Sequence, residues 1–236
     1  MMATGAYDVR AEATSWWWWC RRRLVQRLLD HHVRGNRLHI LDVGCGAGGA
    51  FSLLQRYGSV AGLDSDRQAV RLARRTGRPV LQGDITQPGD LFPLGSFDLI
   101  TALDLLEHIQ HDTLALWRMW RLLAPGGLLL LTVPAMPSLW SPHDVRLGHV
   151  RRYTAAGLAL SVETAGFTLA FLSHYGISVL PLQYLVRRRL PSVNGGPLPG
   201  PLDWALRSLV SLEILALPAL RAPIGPTLVA VARKEA

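Results

Sequence analysis

Ile40-Leu41-Asp42-Val43-Gly44-Cys45-Gly46-Ala47-Gly48-Gly49 is the stretch whose reading decides the fold. An apolar run that ends in an acid and passes straight into alternating glycines is what a buried strand needs if it must turn sharply and bring backbone N–H groups against a ligand. Gly44, Gly46 and Gly48 keep Cβ atoms out of that approach. The run also fits the looser Gly-x-Gly-x-x-Gly spacing through Gly44, Gly46 and Gly49, so the glycines alone leave a dinucleotide and other adenosine ligands both open. Asp42 weighs against the dinucleotide. Pyrophosphate over these amides gains nothing from a carboxylate two residues earlier, whereas a ligand carrying an ammonium group does.

Outward from this turn, short apolar strands alternate with helix-length segments, the pattern of a parallel sheet with crossover helices. Strands are expected near 38–43, 60–63, 80–81, 97–103 and 128–133, with helices near 48–57, 67–76 and 110–123 between them. Pro125-Gly126-Gly127 is expected to end the last helix, because proline cannot continue it and glycine permits the turn. A helix from Thr154 then leads to Gly166, a strand near 167–174 and a closing strand at 227–233. Between those two strands, 177–225 is longer than a usual connection, is rich in Pro and Leu, carries Arg187-Arg188-Arg189 and holds a plausible helix over 202–217. The expected organisation is a helical, Trp-rich lid (1–37), a core (38–176), an insertion or cap (177–225) and a closing strand with tail (226–236).

With 236 residues, 49% of them hydrophobic, the chain can bury one substantial core. Lys234 is the only lysine among 25 basic residues, which face 17 acids and give a formal charge of +8. The arginines run from Arg10 to Arg233 without gathering, so codon usage explains the excess better than nucleic-acid binding, although scattered positive charge still favours anionic surfaces. Cys20 and Cys45 give no disulfide framework, no secretion signal opens the chain, and no run of ~18 apolar residues is present, so a cytoplasmic protein is expected.

A second acid, Asp64, follows the first motif glycine by roughly the 20 residues at which a carboxylate accepts ribose hydroxyls. Asp66 suits the N-cap of the helix from Arg67, which leaves Asp64 for a ligand. Gly83-Asp84-Ile85 follows the third strand. Phe97-Asp98-Leu99-Ile100-Thr101-Ala102-Leu103-Asp104-Leu105-Leu106-Glu107-His108-Ile109 and Ala124-Pro125-Gly126-Gly127 follow in order. Together with Ile40–Gly49 these segments resemble the ordered motifs of the class I S-adenosylmethionine-dependent methyltransferases, small-molecule branch, over about 38–133. The resemblance implies an α/β, Rossmann-like, seven-stranded and mostly parallel sheet with helices on both faces and an insertion before the last strand. It implies S-adenosylmethionine as donor, leaving as S-adenosylhomocysteine. Asp42, Gly44, Cys45, Gly46, Gly48, Asp64, Ser65, Asp84, Ile85, Leu103 and Asp104 are the positions it assigns to the donor, Asp84 taking the adenine amino group and Ile85 packing on the ring. A short-chain nicotinamide enzyme would need a Tyr-x-x-x-Lys pair, which Lys234, four residues after Ala230, cannot complete.

Methyl transfer from a sulfonium is an in-line displacement, so the protein must hold a nucleophile near the methyl group and relieve a hydroxyl of its proton. His108, His143 and His149 are the catalytic candidates near neutral pH. Trp140 through Asp144, then Gly148-His149-Val150-Arg151-Arg152-Tyr153-Thr154, resembles a block of one bacterial branch of the family, and the tryptophans before Arg21-Arg22-Arg23 resemble that branch's opening element. Trp17, Trp18, Arg21, Trp140, Asp144, Arg152 and Tyr153 are therefore expected at the acceptor, against the alternative that Asp144 and Arg152 pair to pin the loop. Consecutive tryptophans in a helix point about 100° apart, so Trp16 to Trp19 cannot all face one core.

These residues point to methylation of an oxygen or nitrogen of a small, partly apolar metabolite, with no metal. Nucleic acid is the disfavoured acceptor, since Asn/Asp-Pro-Pro-Tyr/Phe and a separate basic domain are lacking. A donor-binding protein without turnover is the alternative of another class. Peripheral membrane contact is a further expectation; the oligomeric state is not readable from the sequence.

Overall fold

The computed structural model describes residues 16–35, 37–87, 89, 91–180 and 200–235, except the side chain of Trp17. Expectations that rested on Trp17's ring and on Arg187–Arg189 lie outside the described residues.

Five strands run parallel: β1 (Leu38–Val43), β2 (Gly58–Asp64), β3 (Val80–Gln82), β4 (Phe97–Leu103) and β5 (Leu123–Pro134). β6 (Thr168–Tyr175) and β7 (Thr227–Arg233) complete the sheet, β7 lying antiparallel to both β5 and β6. The order is β3-β2-β1-β4-β5-β7-β6, so the expected seven-stranded, mostly parallel sheet is what the chain forms. The order reverses between β1 and β4, and in open α/β sheets ligands bind in the crevice beyond the carboxyl ends of the strands at such a reversal.

Both faces of the sheet are buried, as the near-continuous apolar strands require. Ile40, Leu99, Leu130, Val229 and Val231 point into one core, where they meet α1 (Trp16–His32), α2 (Phe51–Leu54), α3 (Arg67–Arg74) and α7 (Gly200–Ala216). Their strand neighbours Leu41, Ile100, Leu131, Leu228 and Ala230 point into the other, against α4 (Asp112–Leu122) and α6 (Ala155–Thr164). A short α5 (Pro142–Arg146) lies in the connection after β5. The segments expected as lid and cap share the first core: Leu24 and Leu28 of α1 and Val210 of α7 are fully buried. Burying each such side chain contributes ~1.5–3 kcal/mol, so α1 and α7 are built into the domain.

Two local expectations are corrected. The helix expected over 48–57 shrinks to α2, with turns on either side. The Pro-Gly-Gly segment does not separate helix from strand: α4 ends at Leu122 and β5 begins at Leu123. Phe97 pairs with Leu123 but Leu99 pairs with Leu128, so residues 124–127 bulge out of the ladder, with Gly126 at φ 77°.

Candidate active site

Four neighbouring parallel strands each bring an aspartate to the same edge: Asp84 after β3, Asp64 at the end of β2, Asp42 near the end of β1 and Asp104 after β4. Asp42 is buried and accepts a 2.6 Å hydrogen bond from the Thr101 hydroxyl. Burial pushes its carboxyl up to about 7, opposed by that hydrogen bond and by the Arg21 guanidinium. Asp64, also buried, accepts at 2.8 Å from the amides of Gly46 and Asp66; desolvation raises its carboxyl and those amides hold it down. Asp66 caps α3 by accepting from Ala69 N–H at 2.7 Å, the N-cap role expected of it.

The glycine turn behaves differently from its sequence reading. Gly44, Gly46 and Gly48 all have positive φ, and this folds the chain back onto β2. The amides of Gly44 and Cys45 donate to Leu63 O at 2.7 and 3.2 Å, and that of Gly46 to Asp64. Three amides expected to face a ligand are thus taken up within the protein. A pyrophosphate would find these donors occupied, whereas ribose hydroxyls and an ammonium need only the carboxylates. Gly44 answers a second demand: a Cβ there would lie 2.7 Å from Leu105, which follows β4. Cys45 turns inward, its sulfur 2.8 Å from where a Cβ on Gly62 would sit, and burial raises its thiol; only its backbone borders the edge. Ser65 is exposed, Leu103 is half-buried, and Ile85 is buried in the second core. Asp84 Oδ1 accepts from the amide and hydroxyl of Thr86 at 2.8 and 2.7 Å.

Beyond β4 the backbone is strained, Asp104 standing at φ 51°. Its carboxylate, expected at the donor, is held by Arg21 at 2.6 Å and by the Thr132 hydroxyl at 2.7 Å. Arg21 also donates to Thr132 Oγ1 at 3.1 Å, and its guanidinium lies 4.8 Å from the Trp18 ring centre. The first helix therefore reaches the ends of β4 and β5 through one buried arginine.

The loop between β5 and α6 closes on itself. Asp144 Oδ1 receives Arg152 Nε at 2.8 Å and NH2 at 2.7 Å and lies 3.1 Å from His149 Nδ1, while Oδ2 accepts from the Ser141 amide and hydroxyl. Arg152 also donates to Ala135 O, and the Tyr153 hydroxyl donates to Asp112 Oδ2 at 2.8 Å. Asp144, Arg152 and Tyr153, expected to touch the acceptor, are buried in this network, since a buried carboxylate and guanidinium must find each other. Trp140 is exposed beside it. His108 and His149 come together, their rings 4.9 Å apart and near perpendicular. Desolvation and the neighbouring His149 lower the His108 pKa, which favours its neutral ring. His143 stands in the first turn of α5 and is not part of that pair.

Glu107 is the residue that sequence reasoning quoted but did not single out. It is 0% exposed, both carboxylate oxygens lack a hydrogen-bond partner among the described residues, and burial together with Asp104 raises its pKa well above the ordinary value. An acid set between Leu105-Leu106 and His108 was the available signal. Among the described residues Glu107, His108 and His149 are the group that could receive a divalent ion, their ligand atoms lying within 4.8 Å of one another. Bonds of 2.1 Å at a tetrahedral centre would need about 3.4 Å.

Residues 9–170 match the family described as a methyltransferase domain. The chain is 34% identical over 143 residues to a trans-aconitate 2-methyltransferase of Deinococcus radiodurans, covering 60% of this chain and 52% of that protein. It is 36% identical over 125 residues to a ubiquinone biosynthesis O-methyltransferase of Xanthomonas oryzae pv. oryzae, covering 50% and 52%. It thus spans about half the length of these curated relatives. In structure it is similar to an S-adenosylmethionine-dependent methyltransferase from Mesorhizobium loti, at TM-score 0.60 and 18% identity over 87% of this chain and 95% of that one. It is as similar to the [4+2]-cyclase SpnF, at TM-score 0.62 and 20% identity over 93% and 83%, so these likenesses establish the fold alone.

Proposed function

We propose, from the premise that this chain belongs to the methyltransferase domain family, that it transfers a methyl group from S-adenosylmethionine to an oxygen or nitrogen of a small, partly apolar acceptor. The observation that carries the reading is the row of aspartates at the ends of β3, β2, β1 and β4, beside a glycine turn whose amides are already engaged. Asp42 suits the ammonium of the donor, Asp64 has lone pairs left for ribose hydroxyls, and Asp84 suits an adenine amino group. When bound, S-adenosylmethionine supplies a methyl group on a positively charged sulfur.

The chain's own work is then positioning and proton removal. His149 is aimed by Asp144, which Arg152 and Ser141 fix in turn, and it faces His108. A hydroxyl acceptor gives up its proton to this pair as its oxygen takes the methyl group, and a protonated amine gives it up first, which frees the nitrogen lone pair that takes the methyl group. Arg21 keeps Asp104 from competing as a free carboxylate at the mouth of the site. The acceptor's apolar character is supported by Trp18 and the exposed Trp140 near the same end of the sheet. The named relatives take trans-aconitate in one case and act in ubiquinone biosynthesis in another, so the acceptor here is to be found by assay.

The test is incubation with isotopically methyl-labelled S-adenosylmethionine and a panel of phenolic, carboxylic and amine metabolites, with S-adenosylhomocysteine and labelled product read by mass spectrometry. Labelled product from one chemical class supports the proposal. Donor binding with no turnover on any acceptor would favour the donor-binding protein without activity, and label in RNA or DNA would overturn the small-molecule assignment.

A further inference from the structure

Helix α7 is inside out. Its three charged residues lie on or beside the buried side, and each is engaged there. Asp203 and Arg207 pair at 2.6 Å, and Glu213 accepts from the amides of Gly176, Ile177 and Ser178 and from the Ser178 hydroxyl. At about 100° per residue, Leu202, Trp204, Ala205, Leu209, Leu212 and Leu215 span an outer arc of about 160°. All six are exposed, Trp204 to 71% and Leu212 to 67%. Within that arc Ser208 is the only polar residue. Exposed Leu220 and Ile224 extend the apolar surface past the end of the helix. A surface helix ordinarily shows the reverse arrangement, and a contiguous apolar patch of this kind marks a contact surface.

What rims the patch selects its partner. Along the seam with α1, the guanidinium groups of Arg23 and Arg207 both lie 5.2 Å from the Trp19 ring centre. Arg27 donates to Leu215 O and Leu217 O at the end of α7, and Arg221 follows, exposed. Arg23, Arg27 and Arg221 form no ion pair among the described residues, and the formal charge of the chain is +8. No described helix is long and apolar enough to cross a membrane. An apolar face about four turns long, a tryptophan near one end and arginines along its border are the elements of a helix that lies in a membrane interface beside anionic headgroups. We infer that α7, with Arg23, Arg27 and Arg221, docks this protein on an anionic lipid bilayer. A second copy of this chain would bring the same arginines against themselves, which the border disfavours.

The inference stands independently of the methyl-transfer reaction and has its own test. The tag-free full chain is floated with vesicles of equal parts phosphatidylglycerol and phosphatidylcholine, and with phosphatidylcholine alone. The chain is expected to float with the anionic vesicles and to partition at least about tenfold less onto the neutral ones. Leu212→Glu/Leu215→Glu changes exposed positions, and with an unchanged circular dichroism spectrum it should lose most of the flotation, while Arg221→Gln should weaken it. Three results would overturn the inference: no flotation with anionic vesicles, flotation unaffected by the leucine changes, or a dimer in sedimentation velocity that the leucine changes split.

Discussion

The two halves of the sheet's carboxyl edge are built in different ways. At β1 to β3 each acid is held by its own turn or by an adjoining strand: Asp64 by Gly46 in the turn after β1 and by Asp66, Asp84 by Thr86, and Asp42 by Thr101, its register partner on β4. At β4 and β5 the polar groups are brought in from outside the sheet, Arg21 of α1 reaching Asp104 and Thr132, and Tyr153 of the loop before α6 reaching Asp112. The first half is a fixed rack of carboxylates; the second is a buried charge network in which Asp144 holds His149, whose ring meets that of His108. Donor recognition should therefore respond to changes in the first half alone, and turnover to changes in the second.

The sharpest break of that contrast is His149→Ala. Removing the proton acceptor should lower turnover about 10²–10⁴-fold while affinity for S-adenosylhomocysteine holds; a loss of nucleoside affinity in calorimetry would move His149 into the donor half. Asp144→Ala comes next. It strands Arg152 in the interior and should cost ~3–5 kcal/mol of stability by denaturant titration, the range for breaking a buried pair. A loss below 1 kcal/mol would show that the network does not hold the loop.

Asp64→Ala should weaken nucleoside binding by ~1.5–3 kcal/mol, with the fold retained by circular dichroism; equal affinity would remove the ribose assignment. The smallest effect is in pH. Asp42 has a folded pKa of about 7 against an ordinary 3.8, so it stabilises the free protein fully below about pH 4 and loses that contribution as pH rises through 7. Ligand binding runs the other way, because the ammonium needs the ionised carboxylate. Nucleoside affinity should fall by up to about tenfold per pH unit below 7, and Asp42→Asn should bind weakly with that slope absent. A flat profile in the unmodified chain would refute the role.

The strands of the sheet and the capping role of Asp66 were legible because they depend on local rules. Apolar periodicity set the strands, and a cap three residues before Ala69 separated Asp66 from Asp64. The turn at Gly44 was legible in conformation and not in consequence, since no pattern in the sequence says that its amides are received by Leu63. Arg21 and Thr132 are 111 residues apart, and nothing in either neighbourhood announces the contact. Asp144, Arg152 and Tyr153 drew attention as polar residues crowded in a loop, a density suited both to binding a ligand and to satisfying buried partners, and the structure shows those partners: Asp144 and Arg152 pair, and Tyr153 meets Asp112. The outward leucines of α7 escaped notice for a related reason, because a helix with few charges reads as a cover until the side its charges face is known.

Calorimetric titration of the full chain with S-adenosylhomocysteine, run in parallel with NAD, tests the rack of carboxylates most directly. One-to-one binding of the sulfur nucleoside, with no heat from the dinucleotide, is the predicted result. Binding of NAD with equal affinity, or no binding of the nucleoside, would contradict it.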